Sequence, residues 1–157
     1  MNETTPSPTR DLDPVTISVI ANRVDAIVRE MSNTLLRSGR STVIASARDF
    51  SCTIVTADNR LLTATDGIPV HVFGSDIQTL SMCEIHDDLA EGDAFLHNDP
   101  YLGNTHAADL TVLIPVFIDG EHLFTTCAKA HQADIGNSVP STYHASARDV
   151  YEEGALI

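Results

Sequence analysis

The chain reads as an α+β protein: an N-terminal helix followed by β-hairpins with one further helix. Three observations predict this. Ile17, Ile20, Val24, Ile27, Val28, Met31 and Leu35 recur at helical spacing, between Asp13-Pro14, a good N-cap and first helical residue, and Gly39, which stops the run. Residues 111–118 form a buried-type β run, Asp119-Gly120 is a strong two-residue hairpin turn, and residues 121–130 return. A second pair of β-like runs, residues 50–56 and 61–65, brackets the turn-like Ala57-Asp58-Asn59-Arg60.

The other elements follow in order. Residues 1–12 are polar and Pro-rich and are expected to be a disordered arm, with the folded domain over residues 13–157. The helix carries Asn22, Arg23, Asp25, Arg29 and Glu30 on its polar face, which suits solvent or a subunit contact rather than chemistry. Residues 67–74 read as a short bounded strand in which His71 alternates with apolar neighbours. A histidine in that setting is a core residue or a pocket-lining one. From Ser75, an expected N-cap, Ile77, Leu80 and Ile85 give the second helix, which frays into Asp87-Asp88. Residues 93–97 are a further strand that delivers the chain to the turn Asn98-Asp99-Pro100.

Composition sets outer bounds. With 43% hydrophobic and 20% charged residues in 157, the chain is that of a globular domain with one core. Twenty-two acidic against nine basic residues give a net charge of −13, which repels phosphate backbones and anionic lipid and argues against nucleic acid as a partner. No stretch reaches the ~18 apolar residues of a bilayer span, and the N-terminus lacks the basic and apolar regions of a signal peptide, so a cytoplasmic protein is expected. Cys52, Cys83 and Cys127 are widely spaced without a C-x-x-C pair, which predicts reduced and mostly buried thiols rather than a disulfide framework or zinc knuckle.

The chemistry is concentrated in two copies of one tetrapeptide pattern, His106-Ala107-Ala108-Asp109 and His131-Gln132-Ala133-Asp134, on either side of the second hairpin. Imidazole and carboxylate ligands without thiolate suit zinc, manganese or ferrous iron, and a two-His-one-carboxylate set leaves positions open for water or substrate. The expected metal ligands are His106, Asp109 and His131. Asp134 is a fourth ligand or a carboxylate acceptor that holds an imidazole tautomer. Asp99 is the next acidic candidate and His71 a third catalytic one. A lone H-x-x-D is more often a local hydrogen bond or cap than a ligand pair, and repetition around a hairpin is what raises this one above that reading.

Register is the difficulty. A tight turn places Ile118 opposite Glu121 and, counted back, Asp109 opposite Ala130, which leaves Asp109 and His131 on opposite faces of the ribbon. One extra residue near Pro115, which cannot donate to a ladder, would bring them onto one face. No Gly-rich phosphate loop, dinucleotide fingerprint or G-x-S-x-G elbow is present, so a nucleotide would be bound elsewhere. Ser138, Ser141, Thr142 and Tyr143 after the second tetrapeptide could touch substrate, but ordinary polar loop residues are the default there.

The ordered set Arg48-Asp49-Phe50-Ser51-Cys52, Ile68-Pro69-Val70-His71, Asn98-Asp99-Pro100-Tyr101 with Gly103 and Thr105-His106, Asp109-Leu110-Thr111-Val112, Pro115-Val116-Phe117 and His131-Gln132-Ala133-Asp134-Ile135-Gly136 resembles the hydantoinase B/oxoprolinase family. That family includes ATP-dependent N-methylhydantoinases, 5-oxoprolinases and the related acetone and acetophenone carboxylases. The resemblance implies that a hydantoinase A-type partner subunit binds ATP and phosphorylates the substrate, while the B-type part carries a divalent metal site on His106, Asp109 and His131. It also implies an ATP-dependent cyclic-amide hydrolase, in which the metal activates water against a phosphorylated lactam. The alternatives are a fragment of a ketone carboxylase and an inactive remnant. Members of the family are several times longer, so the chain is expected to be the N-terminal portion of a B-type subunit, with an apolar face exposed where the remaining part packs.

Overall fold

The computed structural model describes residues 13–65, 67–139 and 142–157; the expected N-terminal arm and Ser141 lie outside them. The elements run α1 (Pro14–Ser38), α2 (Thr42–Ala45), β1 (Phe50–Thr56), β2 (Leu61–Ala64), α3 (Ser75–Ile85), β3 (Phe95–His97), β4 (Asp109–Ile118), β5 (Glu121–His131) and α4 (Val150–Glu153). The strands form one antiparallel sheet in the order β2-β1-β5-β4-β3. The architecture is α+β, with the two expected hairpins and two main helices; α2 and α4 are single turns too short to carry a periodic signal.

Helix α1 begins as its sequence dictates. Asp13 accepts from the Thr16 amide, Pro14 occupies the first turn, and the Gly39 amide closes on the Leu35 carbonyl at 2.9 Å. Its inner side lies on one face of the sheet, where Val28 packs with Cys52 and Ile54, flanked by Val24, Met31, Leu35, Phe124 and Ala128. The apolar stripe is only partly used: Val24, Val28, Met31 and Leu35 pack on the sheet, while Ile17, Ile20 and Ile27 are about half exposed. Helix α3 covers part of the opposite face, with Met82 against Val55, Leu113 and Cys127. β1 is buried from Phe50 through Val55 because it lies between these two layers. On the face turned away from α3, the outer strands are uncovered, and Leu96, Val112 and Ile114 are 46%, 37% and 41% exposed.

Two expectations change. Residues 67–74 are not a strand: Pro69–His71 is a 3-10 turn with Pro at its start, and Val70 and Phe73 are more than half exposed. Pro69 has no N–H to give a ladder and a φ already set for a helical turn, so the apolar alternation there only imitates a strand. The N-cap of α3 is Gly74 rather than Ser75, which is buried inside the first turn. Gly74 has φ +82° and Gly103 φ +95°, and a Cβ on Gly103 would stand 2.7 Å from Ile77 Cβ. These glycines let the loop before β4 lie directly on the start of α3.

The hairpin between β4 and β5 positions the site. Asp119 and Gly120 both take positive φ, 54° and 83°, as a two-residue type I′ turn requires. Ile118 pairs with Glu121 and Phe117 with His122, but Val116 pairs with Phe124, so Leu123 is an extra residue in β5. Beyond this bulge the register runs to Asp109 opposite His131. The extra residue is close to the position that Pro115 suggested, but it is inserted in the returning strand.

Deleting Leu123 removes the bulge while keeping the turn. The regular ribbon then still sets Asp109 opposite His131, because the deletion takes away the one residue by which the register shifts, so divalent-metal uptake should be retained. A glycine inserted after Thr126 instead sets Asp109 opposite Ala130, sends His131 to the other face and should abolish uptake. Metal uptake by the insertion variant at the wild-type level would show that the register does not set the site.

Candidate metal centre

Four segments deliver the side chains. β4 begins with Asp109 and β5 ends with His131, directly opposite each other at the same end of the sheet. His106 stands one turn before β4, where the Asp109 amide donates to the His106 carbonyl at 3.1 Å. His71 reaches in from the 3-10 turn, and Asp49 precedes β1, where its carbonyl accepts from the His131 amide at 3.0 Å.

Asp109 is the centre. Its Oδ1 lies 2.9 Å from His131 Nδ1 and 3.2 Å from His106 Nε2, and these two nitrogens are 3.1 Å apart. The three atoms come from a fully buried carboxylate, a buried imidazole and a partly exposed one. Such separations match three neighbouring vertices of a small coordination shell, since ~2.1 Å bonds place adjacent octahedral ligands about 3.0 Å apart and tetrahedral ones about 3.4 Å apart. The set would therefore suit a divalent ion, and the three side chains line a cavity of about 630 Å³.

The second carboxylate oxygen is held from the protein side. Asp109 Oδ2 accepts from the Thr105 hydroxyl and lies 3.2 Å from His71 Nε2, which is also 3.2 Å from Asp49 Oδ1. Burial pushes the Asp109 carboxyl up, but hydrogen bonds from His106 and Thr105 and the charge of His71 outweigh it, leaving the pKa at about 2. His106 is raised, chiefly by its hydrogen bond to Asp109. Burial lowers His71 despite the two nearby carboxylates, which suits an imidazole donating Nε2–H to them.

The outer wall is the loop after β5. Tyr143 stacks on His106 with ring centres 5.9 Å apart and planes 7° apart, and Thr142 Oγ1 sits 2.6 Å from His131 Nε2. Glu153 of α4 also lines the cavity.

Beneath the centre lies a buried polar layer. Asn104 donates its amide hydrogens among the carbonyls of Asn98, His106 and Asp109 at 3.0, 2.7 and 2.7 Å. Its oxygen accepts from Thr111 and Gln78. Lys129, 2% exposed, has no hydrogen-bond partner for Nζ among the described residues, and burial lowers its pKa to about 8.

The structure thus brings His106, Asp109 and His131 together and places His71 against them. It does not bring Asp99 or Asp134. Asp99 caps the 3-10 turn Pro100–Leu102 by accepting from the Tyr101 amide at 2.8 Å. Asp134 is exposed and accepts from the Gly136 amide at 2.8 Å. Both are short acidic side chains at loop positions, where a neighbouring backbone N–H competes with any distant site. Asp49, Lys129 and Asn104 were not singled out by sequence. Asp49 follows Arg48, whose φ of 54° turns the chain, but nothing local distinguishes it from a surface acid. Lys129 does carry a signal: a lysine among strand formers, at even spacing from His131. Cys52 is buried with its thiol raised to about 11, chiefly by desolvation, as befits a core residue.

The sequence profile of the hydantoinase B/oxoprolinase family matches residues 13–157. The chain belongs to this family. It is 34% identical over 150 residues to a 5-oxoprolinase from Dictyostelium discoideum, covering 95% of the chain and 12% of that relative. It is 35% identical over 148 residues to the caprolactamase subunit beta of Pseudomonas jessenii, covering 93% of the chain and 25% of the subunit. The crystal structure of the ATP-dependent caprolactamase from Pseudomonas jessenii superposes with a TM-score of 0.85 at 33% identity, over 94% of this chain and 26% of that one. Acetone carboxylase in its nucleotide-free structure has a TM-score of 0.81 over 94% of this chain and 20% of that one, and at 21% identity it shares the fold alone. The chain therefore spans about an eighth to a quarter of the length of these relatives. Among the described residues no helix is long and apolar enough to cross a membrane.

Two outcomes test the buried layer. Asn104→Ala leaves several buried carbonyls without a donor and should lower stability by about 2–4 kcal/mol, read from urea unfolding. Lys129→Met should stabilise the chain in a pH-dependent way. The native amine titrates at about 8 and the unfolded one at its ordinary 10.5, so between these values the unfolded chain binds more protons and wild-type stability rises with pH. The penalty is fully present below pH 8, and the variant's gain, on the order of 1–3 kcal/mol at pH 7, should vanish near pH 10.5. A pH-independent difference would contradict this origin.

Proposed function

We propose that the chain is the metal-bearing part of an ATP-dependent cyclic-amide hydrolase of the hydantoinase/5-oxoprolinase type. The observation that carries this reading is the convergence of His106 Nε2, Asp109 Oδ1 and His131 Nδ1 within 2.9–3.2 Å of one another beside an open cavity. His106, Asp109 and His131 would hold a zinc, manganese or iron ion. Bound there, such an ion supplies Lewis acidity and a water whose pKa is brought toward neutrality.

The protein's own residues do the rest. Thr105 and His71 hold Asp109 Oδ2, so Oδ1 is left for the centre. His71 acts here as an orienting donor. Tyr143 and the following loop residues, together with Ile68 and Val70, give the cavity an apolar wall suited to the ring of a small lactam. The net charge of −13 and the absence of a phosphate loop support assigning ATP to a hydantoinase A-type partner subunit. The uncovered sheet face at Leu96, Val112 and Ile114 is where we place the remaining part of the B-type subunit. The hydrolase reading is preferred over ketone carboxylation because the identity to the caprolactamase and oxoprolinase relatives, 33–35%, exceeds the 21% to acetone carboxylase. Asp99 and Asp134 are given no role, since each serves its own turn.

His106→Ala should reduce bound divalent metal in the purified chain. With the partner subunit and the rest of the B-type subunit supplied, it should lower ATP-dependent opening of 5-oxoproline, caprolactam or a hydantoin by on the order of 100-fold. Unchanged metal content removes the ligand assignment. Consumption of a ketone with ATP and bicarbonate, but of no cyclic amide, replaces hydrolase with carboxylase.

A further inference from the structure

We propose that Thr142 is a positioning residue that fixes the tautomer of His131, so that Nδ1 faces the metal centre with its lone pair free. The inference rests on the metal reading above and deepens it. Among the described residues Thr142 Oγ1 has two polar neighbours, the Gln132 carbonyl oxygen at 2.7 Å and His131 Nε2 at 2.6 Å. A hydroxyl carries a single proton and a carbonyl oxygen only accepts, so that proton goes to Gln132. Oγ1 then presents a lone pair to His131 Nε2, and the contact is satisfied only when Nε2 carries a proton. In the neutral imidazole this leaves Nδ1 bare.

The acceptor that enforces this polarity is itself held. Gln132 follows the last residue of β5, its amide donates to the Ala108 carbonyl at 2.8 Å, and its side chain returns to the Ala130 carbonyl at 2.9 Å. Its peptide cannot easily turn to release Thr142. The next residue, Tyr143, lies with its ring centre 5.6 Å from that of His131, which seats the Thr142 segment against the same imidazole.

The consequence falls on the other side of the ring. A bare Nδ1 stands 2.9 Å from Asp109 Oδ1 and 3.1 Å from His106 Nε2. Two lone pairs at that distance repel unless a cation lies between them, so the Thr142 hydroxyl favours occupancy as well as orientation. Thr105 does the matching work on Asp109 by donating to Oδ2. The opposite polarity, with Thr142 donating to Nε2, would leave the Gln132 carbonyl without that proton and place the imidazole proton on Nδ1, where it blocks coordination.

The test uses the 157-residue chain with zinc as the probe. Long-range 1H–15N spectra of the zinc-free wild type should show the His131 proton on Nε2. Competition with a chromophoric chelator should show zinc affinity weakened about 10- to 100-fold in Thr142→Val and restored to within about threefold in Thr142→Ser, which keeps the hydroxyl. Circular dichroism checks that the variants fold; if Thr142→Val does not, the wild-type spectrum still decides. A proton on Nδ1 in the zinc-free protein, or equal zinc affinity in Thr142→Val and wild type, overturns the inference while leaving the metal site standing. A wild type that takes up no zinc, manganese or iron overturns the metal reading, and this inference with it.

Discussion

The site depends on one strand register. Because side chains alternate along a strand, a shift of one position moves every following residue to the other face, and Leu123 makes that shift in β5. With Leu123 held out of the pairing, Asp109 faces His131. The same shift sets Leu113 opposite Cys127 in the core and Thr111 opposite Lys129 beneath the centre. A single register therefore serves both packing and chemistry.

Along that face of the sheet, the character of the layer changes. Val55, Met82, Leu113 and Cys127 make a dry cluster under α3. Toward the centre it gives way to Thr111, Lys129, Asn104 and Asp109, all buried. A buried polar layer is tolerable only when its groups are satisfied, and Asn104 satisfies most of it by tying the His106–Asp109 turn to the Asn98 loop. Among the described residues Lys129 Nζ has no partner, and neither has the nearby Gln78 Oε1. The unpaired Lys129 amine is a liability for stability, and its charge lies close enough to Asp109 for each to influence the other.

Imidazoles oriented by hydroxyls and carboxylates are a means of precision, since a ligand held in one tautomer and one direction meets an ion without reorganising. Here the groups that touch Asp109 and His131 come from separate parts of the chain: Thr105 from the loop before β4, His71 from the 3-10 turn and Thr142 from the loop after β5. The cluster therefore requires most of the domain to be folded, although its two imidazoles and one carboxylate lie within a few residues of one hairpin. Membership of the hydantoinase B/oxoprolinase family is consistent with a domain in which fold and site are this closely joined.

Local chemistry made much of the molecule legible in advance. The caps of α1, the Asp119-Gly120 turn and the two hairpins follow from residues that act on their own backbone, and the triad His106, Asp109 and His131 follows from donor types repeated around one turn. Asp99 and Asp134 show where such reasoning stops, because a carboxylate looks the same in sequence whether it caps a turn or faces a cavity. The 3-10 turn at Pro69–His71, the bulge at Leu123, and the placing of Asp49, Asn104, Lys129 and Thr142 were decided by the tertiary structure alone. Each depends on which distant segment supplies a partner, and that is set by packing between layers rather than by the residues on either side.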